Sequence, residues 1–196
     1  SKTKNRPLID YQWVSVEALQ VQWLMGWFKL WFCHRDTILV KGEHEPEYFA
    51  ATDTEPAKIV FAHGFFASAL HEISHWCMAG QKRRLLNDFG YWYAPDGRNE
   101  EQQQQFEQVE ILPQAIECLL TLACNKPFSV SKDNLFADFD TSQSTFEADV
   151  QAQAVKFWQT GQKLSTDAKV LLSQLTKLRP LPLTAFDISH NFIKAN

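Results

Sequence analysis

The stretch FAHGFFASALHEISHWCMAG, residues 61–80, carries His71-Glu72-Ile73-Ser74-His75 at its centre, two histidines four apart with a glutamate beside the first. On an α-helix, residues i and i+4 lie one above the other on the same face. A helical reading therefore aims both imidazoles at one point, with Glu72 to the side of it. Spacing through Ala67, Leu70, Ile73, Ser74 and Cys77 predicts such a helix over residues 66–86, with Ser68 as its N-cap. In a chain with six histidines and twelve glutamates, the pattern arises by chance in roughly one case in a hundred. Two structural histidines on a half-buried helix would not require the apolar setting found here, so a metal site is the stronger reading.

Outward from this stretch, DTILVKG (36–42) and PAKIVFAHG (56–64) are short, β-branched and closed by glycine, which predicts two strands. Residues 11–33 place Trp13, Val16, Gln20, Trp23, Trp27, Leu30 and Trp31 near a 3.6-residue period, an amphipathic helix expected to pack its tryptophans inward. Residues 100–124 read as a helix that Pro113 should kink or restart. Two more helices are expected over 143–162 and 165–178, parted by Gly161. RPLPLTAF should then end regular structure. The expected fold is α+β: a single helix-rich domain over residues 1–196, with a small sheet, a central HExxH helix and an N-terminal amphipathic helix (1–36) packed on it.

The composition excludes several classes. Net charge is −4 and the only basic run is Lys82–Arg84, too short for a nucleic-acid footprint and better placed to cap a helix C-terminus. The longest apolar run, WLMGWFKLWF (23–32), falls far short of the roughly 20 residues a membrane span needs. Four cysteines form no CxxC pair, and SKTKNRPLIDYQ at the start has no apolar signal core. A cytoplasmic protein with free thiols, no nucleic-acid partner and no membrane is expected.

Two histidines need a third ligand. The extended pattern HExxHxxGxxH is absent, since Met78 and Gln81 stand where its glycine and histidine belong. Carboxylates on the helix after residue 100 are the better candidates, namely Glu107, Glu110 and Glu117. Glu110 leads because Val109 and Ile111 flank it and an acid in apolar surroundings needs a cationic partner; Glu107 is second. Such a set leaves ligand positions open. With zinc, Glu72 could deprotonate a bound water for peptide hydrolysis. With ferrous iron, the open positions serve dioxygen chemistry. Spacing does not choose between them.

The runs IVFAHGFFASALHEISHWCMAGQKRR (59–84), DFGYWYAPDGR (88–98) and FEQVEILPQA (106–115) resemble bacterial elongation factor P hydroxylases, a likeness extending from about residue 41 to 128. The resemblance implies hydroxylation of a lysine of elongation factor P that already bears a β-lysyl group. It also implies a fold similar to that of a metal-dependent endoribonuclease, of zincin type. The family's two-histidine, one-carboxylate set carries over onto His71, His75 and Glu110. The cofactors implied are Fe(II), which zinc or nickel can replace on purification, and dioxygen, with the reductant unspecified. Glu72 is then expected to act in catalysis, relaying protons or orienting a ligand. Tyr91 and Trp92 line the pocket, Asp96 meets the substrate amines, Arg98 holds the loop or a cosubstrate carboxylate, and His63 stands behind the site. Ala94 departs from the family, where cysteine is expected. A zinc-dependent peptidase is the alternative enzyme. A binding module with a structural metal is a third reading, disfavoured because Cys77 faces away from the histidines.

Overall fold

Short runs of β-branched and apolar residues make the two longer strands. β1 (Thr37–Lys41) and β3 (Ala57–Phe61) are the two runs foreseen, and they pair in parallel with Thr37 opposite Ala57 and Leu39 opposite Ile59. An additional strand, β2 (Glu47–Phe49), runs antiparallel on the other side of β3, with Tyr48 opposite Ile59, so the order is β1-β3-β2. Three residues are too few to display a period, which is why β2 leaves no mark in the sequence. Thr37, Leu39, Tyr48, Ala57, Ile59 and Phe61 are all buried, the alternate residues of their strands. The structure, a computed structural model, describes residues 16–91, 98–131 and 144–190. The chain divides into two compact units, residues 1–91 with 177–181, and residues 92–176 with 182–196.

In the first unit, α1 (Glu17–Phe32) packs on β1 and on α2 (Phe66–Arg83). Its buried face is Gln20, Val21, Leu24, Trp27, Phe28 and Phe32. Val16 and Leu30, expected on that face, are exposed. The helix is turned so that Phe28 and Phe32 set their rings edge-on against Trp76 of α2, with centroids 5.4 and 5.2 Å away. All three side chains are excluded from water, and their burial outweighs that of the half-buried Trp23 and Trp31.

The chain leaves β3 through Ala62–Gly64, where His63 (φ 53°) and Gly64 (φ 66°) are left-handed, and enters α2 at Phe66. Ser68 is not the N-cap. It lies inside α2, and its Oγ accepts the Ala62 N–H at 2.9 Å, tying the entry turn to the helix. The Phe66 N–H is capped instead by the Glu17 carboxylate at 3.0 Å, from a helix 49 residues earlier. At the other end Gly80 (φ 72°, ψ 173°) breaks the helix before its last turn. Arg84 lies over the Trp76 ring at 3.6 Å and donates from Nε to the Trp76 carbonyl at 2.9 Å, the C-terminal capping expected of the basic run.

The second unit is helical. α3 (Glu100–Ala123) opens on a capping box in which Asn99 and Gln102 each accept the other's backbone N–H. α3 does not restart at Pro113 but continues as one helix through it. Every residue from Pro113 to Ala123 is buried, and that burial outweighs the roughly 3 kcal/mol a helical proline costs. α4 (Phe146–Thr160) packs on α3 and ends at Gly161, left-handed at φ 65°, as foreseen. α5 (Thr166–Thr176) packs on α3, and α6 (Ala185–His190) packs on α3 and α4. α6 was not expected after the prolines. It starts because Thr184 and Asp187 accept each other's backbone N–H, a T-x-x-D cap legible in TAFD. The protein is thus helix-rich with a small three-stranded sheet, an α+β arrangement. No helix among the described residues is long and apolar enough to cross a membrane.

Candidate metal centre

α2 carries the HExxH run with Phe66, Ala69, Leu70, Ile73, Trp76 and Cys77 buried, which fixes the roll of the helix and leaves His71, Glu72 and His75 half-buried together. Ser74, also fully buried, is satisfied by donating to the Leu70 carbonyl at 2.8 Å. The two histidines meet as the i, i+4 spacing demands: Nε2 to Nε2 is 3.1 Å, with ring centroids 4.7 Å apart. Two nitrogens each about 2.1 Å from one ion would show a separation of this size.

α3 presents an unusual buried face. Gln103, Glu107, Glu110, Gln114, Glu117 and Thr121, spaced alternately four and three apart, are all buried, where a helix normally places apolar residues. Buried polar groups need partners. Gln103 accepts from Arg98 Nε at 3.0 Å, and the Arg98 guanidinium lies over the Phe106 ring at 3.9 Å. Glu107 takes both of its contacts from the Ser144 hydroxyl, at 3.0 and 3.2 Å. Glu110, only 3% exposed, accepts from Gln114 Nε2 at 3.0 Å.

Among the described residues, His71, His75 and Glu110 form a group that could hold a metal ion, each offering one ligand atom within 4.8 Å of the others. Two imidazole nitrogens and a carboxylate oxygen suit zinc or iron and leave coordination positions open. Glu107, the second choice for the third ligand, is instead engaged by Ser144. Glu72 stands next to His71 on the same helix, half-buried. His63 is exposed in the turn before α2, its ring 5.9 Å from that of Phe65. Tyr91 is half-exposed, with the Arg83 guanidinium over its ring at 4.1 Å. Arg98 is buried against α3. Trp92, Ala94 and Asp96 lie outside the described residues. Gln114 escaped the reading of the sequence, although its position four residues after Glu110 on one helix was the available signal.

Residues 27–182 match the family model described as elongation factor P hydroxylase. The chain belongs to that family. It is also 43% identical, over 157 residues, to the elongation factor P lysine hydroxylase of Haemophilus influenzae, covering 79% of this chain and 88% of that protein. The matched region of the elongation factor P hydroxylase family spans the HExxH helix, Glu110 and Gln114 together.

Proposed function

We propose that this protein, working as one hydroxylase domain, adds an oxygen atom to the β-lysyl-extended lysine of elongation factor P, using a non-haem ferrous ion held by His71, His75 and Glu110. What carries the reading is the grouping of two imidazoles and one buried carboxylate in a chain of this family. The name of the Haemophilus relative supports the substrate and the reaction class. When bound, ferrous iron supplies activation of dioxygen: one oxygen atom enters a C–H bond as hydroxyl, and the other leaves as water with two electrons from a reductant and two protons.

The chain's own residues do the remaining work. His71 and His75, fixed on α2 by the buried face behind them, hold their nitrogens in place without rearrangement. Glu72, flanking the pair, carries the protons that the reduction consumes. Tyr91 and Trp92 border the substrate lysine, Asp96 pairs with its amines, Arg98 holds the start of α3, and His63 stands beside the entry turn. The likeness of the fold to zincin-type endoribonucleases belongs to the same proposal.

Reconstitution tests it. Chelator-stripped protein should regain hydroxylation of β-lysylated elongation factor P with Fe(II) and a reductant under air. His71→Ala and His75→Ala should bind no iron and give no product. Full activity of either variant would overturn the ligand assignment.

A further inference from the structure

We propose that Gln114 is a positioning residue for the carboxylate of Glu110, orienting it towards the metal. The inference rests on the reading of Glu110 as a ligand. Gln114 has no exposed surface, and both of its N–H groups and its amide oxygen are engaged. One Nε2 hydrogen goes to Glu110 Oε2 at 3.0 Å and the other to the Ser131 carbonyl at 2.7 Å, while Oε1 accepts the Ser131 N–H at 2.9 Å. This pattern fixes which end of the amide is nitrogen. Turned over, the amide oxygen would face a carbonyl and a carboxylate with no proton between them.

The clamp is anchored. Ser131 follows the buried Phe128 (2% exposed) and Val130 (7%), and the Lys126 N–H bonds back to the Thr121 carbonyl. Gln114 therefore joins a fixed peptide to the carboxylate. Its donation to Oε2 fixes the orientation in which the carboxylate meets a cation. Alanine or leucine at 114 would leave Glu110 to find another orientation. Glutamate, nearly the same shape, would replace a donor with an acceptor.

The test is a double-mutant cycle on the full chain, stripped of metal, with Co(II) as probe. Its affinity is read by competition with a chromophoric chelator, and its ligand geometry by its visible absorption. Gln114→Ala and Gln114→Glu should each weaken Co(II) binding about 10- to 100-fold and change the spectrum. In a Glu110→Ala background the same changes should shift affinity by less than about threefold. Metal-free thermal unfolding shows which variants fold, and near-isosteric Gln114→Glu decides if Gln114→Ala does not. Wild-type affinity and spectrum in the Gln114 variants, with Glu110→Ala weakened, would overturn the inference and leave the metal site standing. Equal losses in both backgrounds would overturn it too, because the effect would then run through packing. Wild-type affinity in Glu110→Ala would instead refute Glu110 as ligand, and the inference with it.

Discussion

Glu107 and Glu110 are one helical turn apart on α3, both buried, and their partners distinguish them: Ser144 holds the first, Gln114 the second. Glu110→Ala should lower divalent-metal affinity at least tenfold, whereas Glu107→Ala should leave it within about twofold and cost about 1 kcal/mol of stability through the lost Ser144 bond. Calorimetric metal titration and urea unfolding of both variants check this. The sequence ranked these two acids in the order that the grouping supports, but for a partly mistaken reason. Val109, invoked as an apolar neighbour, is 70% exposed, because residues i±1 on a helix do not share a face. The legible signal was the polar stripe itself, six residues at core spacing. Thiol chemistry adds a second check. Cys33 is exposed while Cys77, Cys118 and Cys124 are buried, so a chromogenic disulfide should label one thiol quickly in the folded protein and all four in urea. Rapid labelling of a second thiol would contradict the packing around α2 and α3.

Helix ends and faces were the least legible elements, because long-range partners decide them. Glu17 caps α2 across 49 residues of sequence, and no local pattern announces it. Removing that cap with Glu17→Ala should cost about 0.5–2 kcal/mol, measurable as a lower urea midpoint. A local reading assigned the cap to Ser68, a good capping residue that the turn after β3 recruits for its own N–H. The same competition set the roll of α1. Phe28→Ala, which empties a fully buried place against Trp76, should cost about 3–5 kcal/mol. Leu30→Ala, on the exposed side, should change stability by less than about 0.5 kcal/mol. Equal effects of these two substitutions would show that α1 is seated differently. What spacing did foresee was existence and type: both longer strands, the HExxH helix, and the glycine that ends α4.

At the scale of the whole molecule, stability should decline in alkali. Burial, with a smaller effect from neighbouring Glu117, pushes the Cys118 thiol far above its ordinary value. Burial also raises Tyr48, only partly offset by Arg84. Both groups keep their protons in the folded state at a pH where the unfolded chain has lost them. Their contribution is therefore complete below the unfolded values and is lost as pH rises past them. For Cys118 the decline begins near pH 9, the thiol's ordinary value, at up to about 1.4 kcal/mol per pH unit. Urea unfolding between about pH 8 and pH 10 should show a shallower decline in Cys118→Ala than in the parent; identical slopes would contradict it. Composition and spacing together made the candidate metal site legible, but not its use, since the same residues serve hydrolysis or oxidation. The most direct test of that use is the intact mass of β-lysylated elongation factor P after incubation with the iron-loaded protein and a reductant under ¹⁸O₂. The account predicts a gain of one ¹⁸O atom on the modified lysine, absent with His71→Ala. An unchanged mass with folded, iron-loaded protein would contradict it, as would cleavage of the factor into shorter peptides.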